Sequence, residues 1–221
     1  MGDYVEAVFL REEKSRFLCT VFFDEMEELC YVPSSCKLGK LITLEGERVL
    51  LKPVVSKSSK LRYALYAVMK QQGWVLLNLA EVNNVIKGQI NRRFFSYLGK
   101  RKEIQAEKIV EGYKADLFLP ESRTVIEVKT VLAEEKIAQF STLQAGRTVK
   151  QLGRLKELLE KGYKVSYLII ALNPKTKEIT ITEDLKELLQ QCIDQGMECR
   201  GYTIKCEEGN PVISKKIPIS L

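Results

Sequence analysis

Lys114-Ala-Asp-Leu-Phe-Leu119, the turn Pro120-Glu-Ser-Arg123, and Thr124-Val-Ile-Glu-Val-Lys-Thr130 decide how this 221-residue chain is read. The outer two segments are runs of Leu, Phe, Val and Ile bounded by Pro, Ser and charge, so they read as two strands of a β-hairpin. Side chains alternate across a strand, which puts the Glu127 carboxylate and the Lys129 ammonium on one face and Val128 in the core. Asp116, on the neighbouring strand, is placed to reach that same face. Two carboxylates and a lysine on one sheet surface form a hard-oxygen site suited to Mg²⁺ or Mn²⁺, with a cation beside it to meet a phosphate.

The absence of histidine narrows the chemistry. With none in the chain, Ser-His-Asp and Cys-His schemes and every histidine general base are excluded. Carboxylates, lysine, water and a metal remain. Cysteines at 19, 30, 36, 192, 199 and 206 include no Cys-x-x-Cys pair and read as reduced, mostly buried thiols. No run of 18 apolar residues and no basic-then-apolar N-terminus is present, so the reading is of a soluble, cytoplasmic protein without a membrane partner. Nothing in the sequence sets an oligomeric state.

An excess of 35 basic over 29 acidic residues, net +6, favours a polyanionic partner. The cations cluster at Lys57-Ser-Ser-Lys60-Leu-Arg62, Arg92-Arg93, Lys100-Arg-Lys102 and Lys215-Lys216. The first and third clusters sit beside Tyr63, Phe94, Phe95 or Tyr97, which could stack on bases, and Lys60, Arg62, Arg92 and Arg93 are candidates for nucleic-acid contacts.

Up to about residue 82 the chain is a series of short strand-like runs: 5–10, 15–23, 28–32, 48–52, 64–69 and 74–79, with a tighter or helical link at 35–41. Five or six strands in that length predict a small OB-like barrel over 1–82. From 83 to 221 strands interleave with helices, predicting an α/β domain. Its helices are expected over 84–98, from a cap at Ser141 or Thr142 to Lys161 with Leu143, Val149, Leu152, Leu155, Leu158 and Leu159 on the buried stripe, and from Thr182 or Asp184 to about Gly196. Further strands are expected at 165–172, 198–205 and 217–221.

Several motifs in order resemble the sugar fermentation stimulation protein (SfsA) family over nearly the whole length. They are Val32-Pro-Ser-Ser-Cys-Lys-Leu38, Lys60-Leu-Arg-Tyr63, Trp74-Val75 followed by Asn83, Ile126-Glu-Val-Lys-Thr-Val131, and Arg147-Thr-Val-Lys-Gln-Leu152. The resemblance implies an N-terminal OB-like barrel, a C-terminal restriction-endonuclease-like domain of the PD-(D/E)xK type, DNA binding, and a link to sugar utilisation. Two departures stand out. Ser34 and Cys36 replace an asparagine and a glycine of the family's N-terminal turn, and Gln151 replaces a histidine in the basic helix.

In the nuclease reading, Asp116 and Glu127, with the backbone carbonyl of Val128, hold the metal. Lysine is a poor base at neutral pH, so Lys129 acts chiefly by stabilising charge on the phosphate. Glu107 is the candidate third carboxylate, with Glu103 and Glu111 as competitors. Gln144, Arg147, Lys150 and Gln151 lie at three- and four-residue spacings on one helix, and Arg147 and Lys150 are expected to touch phosphates. The alternative is a DNA-binding regulatory protein on a nuclease-like scaffold that does not cut.

Overall fold

The computed structural model describes residues 4–221 apart from 35–36, 56–59, 72, 80, 141–144 and 208. Among the described residues, five strands close a barrel: β1 (Val5–Glu12), β2 (Leu18–Phe23), β3 (Met26–Tyr31), β4 (Arg48–Pro53) and β5 (Tyr63–Lys70). Antiparallel pairing joins β1 to β2 and β4, β2 to β3, and β4 to β5; a parallel bridge from Tyr31 to Ala64 shuts the ring. With a 3-10 turn at Leu38–Lys40 between β3 and β4, this is the OB arrangement. The β2–β3 connection is a two-residue turn in which Asp24 and Glu25 both have positive φ, 53° and 62°, a geometry whose twist matches that of the flanking strands.

After β6 (Gly73–Leu76) come α1 (Glu81–Gln89), the two-residue strands β7 (Gln105–Ala106), β8 (Ile109–Val110) and β9 (Tyr113–Lys114), and the hairpin β10 (Leu117–Leu119) and β11 (Thr124–Val131). Then follow β12 (Ile137–Phe140), α2 (Ala145–Glu160), β13 (Lys164–Ala171), β14 (Glu178–Ile181), α3 (Glu183–Asp194), β15 (Glu198–Glu207), β16 (Asn210–Ile217) and β17 (Ile219–Ser220). β11, β13 and β15 run parallel, flanked by antiparallel β10 and β16.

A parallel sheet must be covered on both faces. Leu168 and Ile170 of β13 pack with Val82 and Ile86 of α1 in a core that runs on into the barrel at Val21, Leu65 and Val68. Tyr167 and Ile169 point the other way, onto Leu152 and Leu155 of α2 and Leu185 and Leu189 of α3. β6, expected as a sixth barrel strand, pairs with β5 and, through Trp74 and Cys206, with β15. It carries the sheet out of the barrel instead of closing it.

Other expectations are corrected. The helix read over 84–98 ends at Gln89; Gly88 and Asn91 are weak helix formers, Arg92 is extended (φ −67°, ψ 158°), and a 3-10 turn at Arg93–Leu98 follows. Four-residue runs too short to read as strands, β12 and β14, pair in a separate parallel sheet with β17. Val149 is exposed, and α2 buries Thr148, Leu152, Leu155 and Leu158. The cap at Ser141 or Thr142, together with Leu143, Gln144, Cys36 and Lys57, lies outside the described residues. Cys19, Cys30, Cys192, Cys199 and Cys206 are free thiols. No helix among the described residues is long and apolar enough to cross a membrane.

The loop after β11 returns to the barrel through Glu134, whose carboxylate accepts from Thr43 N–H at 2.9 Å and Thr43 Oγ1 at 3.2 Å, with Lys70 Nζ at 3.3 Å. The Thr43 amide, then Lys70, lowers its pKa from the ordinary 4.5. A lowered carboxylate stabilises the fold above its ordinary pKa and loses that contribution as pH falls through the folded value. Glu134→Gln should therefore flatten the acid limb of the Tm–pH curve, by no more than about 1 kcal/mol because the pair is partly solvated. Superimposable curves would show that this contact adds nothing.

Candidate functional site

The hairpin register pairs Leu117 with Ile126, so Asp116, the residue before β10, stands beside Glu127. Two donors fix its carboxylate: Val128 N–H to Oδ2 at 2.8 Å, and Asn83 Nδ2, from α1, to Oδ1 at 3.1 Å. Glu127 is 2% exposed. Tyr113 Oη donates to its Oε2 at 2.6 Å, and Gln151 Nε2, from α2, donates to its Oε1 at 3.2 Å. The Lys129 ammonium pairs with that same Oε1 and donates to Gln151 Oε1 at 2.9 Å.

Burial pushes the Glu127 pKa up; Lys129 opposes the rise and the Asp116 charge adds to it. The Tyr113 phenol is raised by burial and then by the Glu127 charge, which keeps it a donor at neutral pH. Tyr167, aligned with Glu127 on β13, has a buried hydroxyl without a partner among the described residues.

The structure thus brings Asp116, Glu127 and Lys129 together. Glu107 donates its amide to the Asp116 carbonyl at 3.0 Å, but its side chain is exposed and paired with Lys114 at 3.0 Å. Its competitors are also engaged: Glu103 accepts from Gln105 at 2.6 Å, and Glu111 pairs with Lys161 at 3.0 Å. Among the described residues, no group of three acidic or cysteine side chains gathers around one point.

Arg147 and Lys150 are exposed on α2. Arg147 precedes Gln151 by one turn and Arg154 follows, donating to the Glu111 carbonyl at 3.0 Å; by helical spacing all three share the stripe that meets the acidic site. The barrel cations fare differently. Lys60 is exposed, while Arg62 is forked onto Glu28 at 3.1 and 2.7 Å. Arg92 donates to Gln89 Oε1 at 2.9 Å, and Arg93 is exposed. Phe95, expected to offer a stacking face, is fully buried against Tyr202. The Tyr97 ring is covered by Arg200, 3.6 Å from its centroid.

Sequence reasoning missed Tyr113 as a partner of Glu127, and it placed Gln151 on a helix face with Arg147 without joining it to Glu127. The signal for Gln151 was its place one turn after Arg147. Tyr113 reaches the site because Glu111 and Gly112 turn with positive φ, 48° and 76°, which no periodicity announces. Tyr113→Phe should raise the Glu127 pKa further, because the lost hydrogen bond favours the ionised form. Divalent-cation affinity, read by titration calorimetry with Mn²⁺, should fall about tenfold; unchanged affinity would remove Tyr113 from the site.

Two family profiles match the chain: the SfsA N-terminal OB domain over residues 12–77 and the sugar fermentation stimulation protein RE domain over residues 80–210. The chain belongs to the sugar fermentation stimulation protein family. Among its relatives, a sugar fermentation stimulation protein homolog of Desulfitobacterium hafniense is 26% identical over 201 residues, covering 87% of this chain and 85% of that one. One of Methanobrevibacter smithii is 27% identical over 245 residues, with 99% and 98% covered. The solved structure of Pyrococcus furiosus SfsA in complex with Ca²⁺ superposes with a TM-score of 0.83 over 100% of this chain and 97% of that one, at 17% identity. The two share a fold: an OB barrel followed by an α/β domain.

Proposed function

We propose that this chain is a divalent-metal-dependent phosphodiesterase acting on DNA, largely without reading sequence. The observation that carries the reading is the convergence of Asp116, Glu127 and Lys129 on one sheet face, with Glu127 buried. The donor set fits Mg²⁺ or Mn²⁺. Asp116, Glu127 and the Val128 carbonyl offer hard oxygens, and a carboxylate whose pKa is raised by burial and by a second carboxylate is one whose ionised form is short of positive charge. A divalent cation bound there supplies Lewis-acid polarisation of a phosphodiester and a lower pKa for a bound water.

The chain's own residues supply position and charge. Asn83 and the Val128 amide hold Asp116 in one orientation; Tyr113 and Gln151 do the same for Glu127. Lys129 presents its ammonium where negative charge builds on the phosphate oxygens. The Ca²⁺ complex of the Pyrococcus furiosus relative supports a divalent cation on this fold.

A second reading, DNA binding without cleavage, is favoured by the engagement of both Glu127 oxygens by Tyr113, Gln151 and Lys129. Labelled single- and double-stranded DNA incubated with Mn²⁺ or with EDTA separates the two. Cleavage that needs Mn²⁺ and disappears in Glu127→Gln is the expected result; salt-sensitive binding with no cleavage by the native protein would leave the second reading.

A further inference from the structure

We propose that the chain grips its DNA on a continuous basic band along the edge strand β16, and not on the OB barrel. This rests on the reading that the substrate is DNA, and it names the surface that holds it. Two hollows define the band. The first, of about 900 Å³, lies between the 3-10 turn at Arg93–Leu98 and strands β15 and β16; Arg92, Arg93, Arg200, Lys205 and Lys216 line it against one carboxylate, Glu207. The second, of about 560 Å³, is lined by Lys136, Lys175, Lys177, Lys215 and again Lys216, with no carboxylate.

Lys216 belongs to both hollows, and the reason is a β-bulge. Pairing steps from Thr203 opposite Lys215 to Ile204 opposite Ile213, leaving Ser214 extra. A bulge shifts the phase of alternation, so Ile213 packs into the core shared with the barrel and Ile217 into the opposite one. Lys215 and Lys216 are left exposed in succession at the sheet edge, one toward the second hollow and the other bordering both.

Charge accounting favours this surface. Nine cations and one acid line the two hollows; without them the remaining chain has 26 basic and 28 acidic side chains, net −2. The whole positive excess therefore sits here. Arg93, Lys136, Lys175, Lys177, Lys215 and Lys216 have no carboxylate partner among the described residues, whereas barrel cations Arg11, Arg48 and Arg62 are spent on Glu27, Glu6 and Glu28.

The second hollow is also pre-shaped. Asn173 ties the Ala133 carbonyl at 2.9 Å to the Lys175 amide at 3.0 Å, and Lys177 N–H bonds to the Lys136 carbonyl at 2.7 Å. In its wall Thr176 has a buried hydroxyl with no partner among the described residues. Cations without a carboxylate partner in two adjoining hollows, Arg93 and Lys216 in the first and Lys136, Lys175, Lys177 and Lys215 with Lys216 in the second, match a row of phosphates better than a single anion, and such cations read backbone charge without sequence.

The test is binding of a labelled DNA duplex in EDTA across 50–200 mM salt, a range in which phosphate contacts dominate the dependence. Lys175→Ala/Lys177→Ala and Lys215→Ala/Lys216→Ala should each lower the slope of log K against log salt by about 1.8, at about 0.9 per phosphate contact. The arginine versions of both pairs should bind as the native protein does, which separates lost charge from lost fold. Lys14→Ala/Lys40→Ala, exposed barrel lysines giving the same charge change, should leave the slope unaltered. Native-like binding by both alanine pairs, or an equal loss in the barrel pair, overturns the proposal. A native protein that does not bind the duplex overturns the DNA reading itself.

Discussion

Glu127→Gln should abolish Mn²⁺-dependent cleavage, by about a thousandfold, the scale on which loss of one central electrostatic group is felt, while the variant is at least as stable as the native protein at neutral pH in EDTA. The sign follows from the raised Glu127 pKa. A carboxylate that binds its proton more tightly folded than unfolded costs the fold stability as pH rises from the ordinary 4.5 through the raised folded value, and that cost persists above it. Glutamine carries no charge and escapes it, yet still offers an acceptor to Tyr113. Cleavage rates and Tm measured from pH 4 to 8 read both halves. Native protein in EDTA should lose stability over that window relative to the variant, and added Mn²⁺ should restore it. Unchanged cleavage in Glu127→Gln would refute the acidic site as the seat of the chemistry.

Tyr202→Ala should cost about 3–5 kcal/mol, as for other large aromatic side chains deleted from a core, and lower Tm by about 10 °C for a chain of this size. Tyr202 is fully buried on β15. Its ring packs against Phe94 and Phe95, and its hydroxyl donates to the Phe94 carbonyl at 3.0 Å, so it pins the 3-10 turn to the sheet. Tyr202→Phe removes only the hydroxyl and should cost about 1 kcal/mol. If both substitutions lowered Tm equally, the hydrogen bond and not the packing would be carrying the site.

The parts of this fold legible in the sequence were those written in a strong local period. The hairpin at 117–131 and strand β13 are dense runs of apolar residues, and α3 starts after Thr182, as its neighbours suggest. β12 and β14 escaped because four residues cannot establish alternation, and the break in the helix at Gln89 came from Gly88 and Asn91, whose weak propensity competes with a well-spaced apolar stripe. At the site, residues on one strand, Glu127 and Lys129, were placed together from alternation alone. Tyr113 and Gln151 arrive from a turn and a helix, and their meeting with Glu127 is decided by tertiary packing.

The bridge from Trp74 to Cys206, and the core that passes under it from the barrel to β15, bear on modularity. Elements that share one apolar interior lose it together, so heat should melt the chain in a single calorimetric transition whose calorimetric and van't Hoff enthalpies agree. The barrel is then not a cassette to be cut free and studied alone. A fragment ending after β6 would bare the side chains that β15 and α1 now cover, and that apolar surface should drive its aggregation.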